Sequence, residues 1–143
     1  MKPYPHQYTV AADVTPSGDA TLTSEGLAAL ASDSPAEFDG PGGRWSPETL
    51  LVAAIADCYV LTFRIAAKNS QLPWETLRCE VEGKLDRPEK KTRFTHVTIR
   101  ARLKTAPGAD RERAQRLLEK AESACLISNS LNAEIKLETT IEP

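Results

Sequence analysis

An α+β domain built on an antiparallel sheet is the fold class this sequence predicts, and three observations predict it. Segments with two-residue apolar alternation occur near the start, in the middle and at the end of the chain. A proline-led segment from residue 47 to about residue 69 is apolar over helical length. A second segment after Asp110 carries an apolar stripe at helical spacing. Strands, helix, strands, helix, strand is the order of an α+β fold with two main helices. The 143 residues have the length of one ordinary domain, 1–143, and no repeat or low-complexity tract divides them.

Tyr8, Val10, Ala12 and Val14 alternate with Thr9, Ala11 and Asp13, which predicts a half-buried first strand. The turn "TPSGD" (15–19) follows, with proline presetting φ and glycine permitting a positive one. "ATLTS" returns as a second strand, and "SEGLAALAS" contains a candidate third. The stretch "SDSPAEFDGPGGRW" (32–45) is rich in Pro and Gly and has no periodicity, so it reads as a long loop. Loops of this length are either functional or mobile excursions.

"SPETLL" is a helix start, with Ser46 as N-cap, Pro47 at the first helical position and Glu48 in the first turn. From Leu50 to Ala67 the helix is apolar on nearly every side, interrupted mainly by Asp57, Cys58, Thr62 and Arg64. Such a helix is expected to be central and buried all round, and one sheet of a small domain cannot cover both its sides. A partner subunit is therefore expected. Leu77, Cys79, Val81 and Leu85 then share one strand face, and Thr95, Val97, Ile99, Ala101 and Leu103 share the next. Asp110 caps the second helix, with Ala114, Leu117, Leu118 and Ala121 as its stripe and Cys125 extending it by one turn. Ala133, Ile135, Leu137, Thr139 and Ile141 form the last strand.

Composition excludes several functions. A net charge of −2 and a pI near 5.7 give no electrostatic pull toward nucleic acid or anionic membranes. "MKPYPHQYTV" lacks the apolar core of a signal peptide, and the run "LLVAAIA" stops at Asp57, short of a membrane span. Three cysteines, an odd number, argue against a disulfide framework and for a reducing cytoplasm. His6 and His96 lie far apart with no metal-ligand spacing, so no metal or other cofactor is expected. "GPGG" (40–43) lacks the lysine of a phosphate loop, and no serine sits in a G-x-S-x-G elbow.

The cysteines remain. Cys79, on an apolar strand face, reads as core filler. Cys58 and Cys125, each on the core-facing side of a helix, could meet if their Cα atoms come within roughly 7 Å. Two such thiols suit peroxide reduction: one attacks the O–O bond and becomes a sulfenic acid, and the other condenses with it before over-oxidation. The attacking thiol needs help to ionise, and a neighbouring cation is the usual source. Arg64 lies six residues from Cys58 and about 120° away around the helix. Arg44, in the glycine-rich loop, is the better candidate. Asp57, beside Cys58, points about 100° away from it.

"SPETLLVAAIADC", followed later by "KAESACLIS", resembles the OsmC/Ohr family of osmotically inducible and organic hydroperoxide resistance proteins. The matching positions are Pro47, Glu48, Cys58, Cys125 and Ser128, and the order of elements agrees along essentially the whole chain. The resemblance implies an intertwined homodimer with active sites at the subunit interface. It also implies a thiol-dependent peroxidase for organic hydroperoxides in which Cys58 is the peroxidatic thiol, Cys125 resolves it and Glu48 orients the activating arginine. Ohr-type members typically draw electrons from a lipoylated protein, so a dithiol reductant is the implied partner. Ten residues of helix separate Glu48 from Cys58 by about 15 Å, so a shared site needs Glu48 from the other subunit. The chain departs from the family in one respect. Its first hairpin turn has no arginine and Glu37 precedes Phe38, which leaves Arg44 as the substitute. Two alternatives stay open: a non-catalytic dimer of this fold that binds small apolar ligands or senses redox state through its thiols, and a purely structural role.

Overall fold

The computed structural model covers residues 1–143 and is an α+β protein whose chain forms two compact units, Met1–Leu50 and Leu51–Pro143. The division falls within the first turn of the long helix α1, Pro47–Asn69.

The N-terminal unit is a meander of three short antiparallel strands, β1 (Ala11–Asp13), β2 (Ala20–Thr23) and β3 (Leu30–Ser32). β1 is shorter than the alternation predicts, and Tyr8, Val10 and Val14 stand exposed instead of half-buried. The pleat sets which face they share, but no residue of this unit covers that face. The long loop is not a loose excursion. Its ends are pinned where Asp33 N–H donates to the Trp45 carbonyl at 2.9 Å, and a single 3₁₀ turn, Ala36–Phe38, organises its middle. At Gly40 a Cβ would run into the Ser34 carbonyl, so only glycine fits this crossing. Ser46 and Thr49 cap α1 reciprocally: Thr49 N–H donates to Ser46 Oγ at 3.1 Å, and Ser46 N–H donates to Thr49 Oγ1 at 2.9 Å.

The C-terminal unit carries the core. β4 (Trp74–Asp86) and β5 (Arg93–Thr105) form a long antiparallel hairpin, and β6 (Glu134–Glu142) lies on the other side of β5. β6 runs parallel to β5, so this sheet is mixed and not antiparallel throughout as the element order suggested. The cause is the connection: α2 (Arg111–Ser123) and α3 (Leu126–Asn129) return the chain to the end where β5 began, and a crossover of that kind delivers a parallel strand. Val97, Ile99, Ala101 and Leu103 pack with Ala114, Leu117, Leu118 and Ala121 of α2 and with Ile55, Tyr59, Phe63 and Ala67 of α1. Each large member contributes about 1.5–3 kcal/mol by leaving water. Phe63 meets Trp74 edge-to-face at 5.4 Å, and the buried Tyr59 hydroxyl donates to the Leu118 carbonyl at 3.0 Å.

α1 is long and apolar enough to cross a membrane by length and composition. Asp57 and Arg64 interrupt it, and Ile55, Tyr59, Phe63 and Ala67 are wholly buried in the protein's own core, so it is a core helix. The expectation of burial all round is not met within one chain. Only that four-residue stripe is fully buried; its flanks, such as Val60 and Ala66, are half-buried, and Leu61 and Ile65 are exposed at 38% and 61%. The unit has one sheet and one long companion helix, enough to cover a single side.

Candidate redox site

Cys58 lies on the flank of α1 between the buried stripe and the exposed face, and it is half-buried. One helical turn on, the Thr62 hydroxyl sits 3.9 Å from Cys58 Sγ. Cys125 is not on the second helix, contrary to the extrapolated stripe. α2 ends at Ser123, and Cys125 occupies the extended position that opens α3, with φ −68° and ψ 105°. Its side chain is fully buried all the same. The corner is held by a dense set of hydrogen bonds. Cys125 N–H donates to the Glu122 carbonyl at 3.2 Å, and the Cys125 carbonyl accepts from Asn129 N–H at 3.0 Å and from the buried Ser128 hydroxyl at 3.1 Å.

This corner turns α3 toward Cys58. Burial pushes the Cys58 thiol up, but hydrogen bonds more than offset it. They come from Ile127 N–H, the Cys125 thiol, the Thr62 hydroxyl and Leu126 N–H, and the net shift is below the ordinary thiol range. Cys125 moves the other way. Its burial raises it, Ser128 lowers it, and its bond and charge interaction with Cys58 raise it again, for a net shift upward. Of the two thiols, Cys58 is therefore the one that ionises first. Cys79 is pushed up to about 12, by burial and then by the charge of Cys125, and stays a thiol. It is core filler, as its strand face implied.

Of the four residues singled out from sequence, the structure brings Cys58 and Cys125 together in the C-terminal unit. Glu48 and Arg44 belong to the N-terminal unit. Arg44 Nε donates to Asp19 Oδ2 at 2.8 Å, with both side chains partly exposed. That bond raises the guanidinium and lowers the Asp19 carboxyl. The groups that lower Cys58 are neutral donors, where a cation was expected. Sequence reasoning missed Thr62 as a partner of Cys58, although its i+4 spacing offered the signal. It also missed the Leu126 and Ile127 amides, which leave no trace in side-chain identity, and Asp19 as the counter-ion of Arg44.

The arrangement can do one kind of chemistry directly. The half-buried Cys58 thiol, shifted toward ionisation, neighbours the buried Cys125 thiol, shifted away from it, and both are free. Such a pair can attack a soft electrophile and close to a disulfide.

Comparison with known proteins gives a consistent set of likenesses. A family model described as "OsmC-like protein" matches residues 40–140. The uncharacterised protein YmaD of Bacillus subtilis (strain 168) is 34% identical over 115 residues, spanning 76% of this chain and 75% of YmaD. An OsmC-like protein of unknown function from Vibrio cholerae superposes with a TM-score of 0.88 at 18% identity, over 95% of this chain and 100% of that one. An organic hydroperoxide resistance protein, OsmC, from Legionella pneumophila has a TM-score of 0.76 at 25% identity, over 99% and 100% of the two chains.

Proposed function

The chain belongs to the OsmC-like protein family, and from that premise we propose that it is a thiol-dependent peroxidase reducing organic hydroperoxides. The observation that carries this reading is the neighbouring pair of free thiols with opposed shifts, Cys58 lowered and Cys125 raised. The name of the Legionella protein supports the same substrate class.

In the proposed cycle the Cys58 thiolate attacks the terminal oxygen of ROOH. The O–O bond breaks, Cys58 becomes a sulfenic acid and RO⁻ leaves, taking up a proton as ROH. Cys125, ionising as it attacks, displaces the sulfenic oxygen as water and forms the Cys58–Cys125 disulfide. A dithiol, such as the lipoyl group of a lipoylated protein, then reduces the disulfide and is itself oxidised. Reduction of this kind suits a reducing cytoplasm. Arg44 and Glu48 are proposed to complete the site in a homodimer. With about 15 Å of α1 between Glu48 and Cys58, the Glu48 of such a site would come from the partner subunit.

The test is cumene hydroperoxide added below stoichiometry, followed by intact mass. A loss of two hydrogens with Cys58 and Cys125 joined supports the cycle. Untouched thiols, with retained affinity for apolar molecules, would favour the ligand-binding alternative. Cys58→Ser should abolish peroxide consumption with dihydrolipoamide, whereas Cys125→Ser should permit about one turnover before over-oxidation stops it.

A further inference from the structure

Cys125 must ionise to close the disulfide, yet it is fully buried and shifted upward, with burial first among the causes. The side chains that bear on it are Ser128, which favours the thiolate, and Cys58, which opposes it. Ser128 is itself only 3% exposed, so bulk water does not compete for its hydroxyl. That hydroxyl donates to the Cys125 carbonyl at 3.1 Å. The spacing follows from the backbone: Cys125 stands in the extended position that opens α3, and residue 128 comes back over its carbonyl. The same carbonyl accepts from Asn129 N–H at 3.0 Å, so it keeps a partner when the hydroxyl turns away. A serine hydroxyl has one proton to donate and rotates to place it. Here the proton can be spent elsewhere without orphaning a buried acceptor.

We propose that Ser128 is the positioning residue of the resolving step: its hydroxyl braces the corner through the Cys125 carbonyl while the thiol is protonated, and turns to the Cys125 sulfur as that sulfur takes on charge. The proposal deepens the peroxidase reading and rests on it for the physiological oxidant. In that step the Cys125 S–H bond breaks and its sulfur bonds to Cys58 Sγ. The Cys58 S–O bond breaks in turn, and the proton leaves with the oxygen as water. Ser128 neither gains nor loses a proton; it lends a hydrogen bond to the attacking sulfur. The simpler role for a buried serine at this spacing is to brace the turn alone. That role predicts a loss of stability in Ser128→Ala and no change in how fast Cys125 reacts.

The experiment isolates the step from peroxide. One equivalent of 2,2′-dithiodipyridine added to the reduced protein is attacked by Cys58, which releases one pyridine-2-thione and keeps the other as a mixed disulfide. Cys125 then attacks the Cys58 sulfur and releases the second thione, and both releases are followed by absorbance across a pH series. Cys125→Ser should stop at the first. In Ser128→Ala the second release should be slower than in the wild type by about three- to tenfold at pH 8, the loss of one hydrogen bond, and its rise should move to higher pH. Ser128→Thr keeps the hydroxyl and should return the profile toward the wild type. With cumene hydroperoxide, Ser128→Ala should carry more Cys58 as sulfinic acid, because the sulfenic acid waits longer for its partner. Equal second-release profiles in the wild type and Ser128→Ala, with only the melting temperature lowered, overturn the proposal. A wild type that stops after the first release does so too. A slowed second release in Ser128→Ala, alongside thiols that cumene hydroperoxide leaves untouched, would instead overturn the peroxidase reading and keep the role of Ser128.

Discussion

Thr62 supplies one of the four donors that hold the Cys58 thiol down, so removing its hydroxyl tests whether donors set the acidity of this site. In Thr62→Val the shape is kept and the hydrogen bond is lost, which leaves burial less opposed and moves the Cys58 titration to higher pH. Alkylation by iodoacetamide follows the thiolate, so its rate rises with pH through that titration and then levels. The variant's rise should be displaced upward, with Cys58 labelling at pH 7 slower by roughly two- to fivefold, the value of one modest hydrogen bond. Thr62→Ser should restore the wild-type profile. A profile unmoved in Thr62→Val, read by peptide mass spectrometry at Cys58, would contradict the donor account. Arg44 offers the contrast. Its guanidinium is engaged by Asp19, and if only donors matter in the isolated chain, Asp19→Asn should leave Cys58 labelling unchanged in a monomeric variant.

At the scale of elements, the helices and the central hairpin were legible because each rests on local chemistry. Ser46, Pro47 and Glu48 announce α1, Asp110 announces α2, and the alternation from Val97 to Leu103 marks a face that is in fact buried. What was not legible depends on distant parts of the chain. The direction of β6 is set by where the crossover returns, and the same alternation of Ile135, Leu137 and Ile141 serves a parallel or an antiparallel neighbour. The break after Ser123 is likewise invisible to spacing, since Cys125 continues the stripe of α2 by count and leaves it by backbone geometry. The packing of α1 on the hairpin makes its own demand on Gly83. A Cβ there would stand 2.9 Å from both Val52 and the Phe94 ring, so Gly83→Ala should cost about 1–3 kcal/mol in urea unfolding. β4 also carries Cys79, raised from 9.0 to about 12. The folded state keeps that proton after the unfolded chain has released it. Its contribution is thus complete below pH 9 and is lost as pH climbs toward 12. The drop in urea midpoint between pH 8 and 10.5 should be smaller in Cys79→Ala than in the wild type. An equal drop in both would place the alkaline loss elsewhere, with the buried Tyr59 as the next candidate.

For the whole molecule, the exposed apolar side chains pose the remaining question. In the C-terminal unit Leu61 sits about 180° around α1 from the buried stripe, with Ile65 one turn on. In the N-terminal unit Tyr8, Val10, Val14 and Leu27 are exposed at 66% or more. Single exposed apolar residues are ordinary, but an apolar helix face and a second set of apolar side chains flanking the short strands, left open in the same chain, are not. A second copy offers the same two faces by symmetry, and an isologous dimer would cover the surface that one sheet cannot. The expected solution mass is therefore twice the 15.6 kDa of the chain. Leu61→Lys puts a charge at the centre of the α1 face without touching the core stripe, so it should shift the species toward one chain in light scattering while the circular dichroism of the helices is retained. If Glu48 acts from the partner subunit, the same variant should also lose peroxide turnover, and activity should rise with protein concentration across the association range. A fully active monomer would remove Glu48 from the site and leave the Cys58–Cys125 corner to work alone.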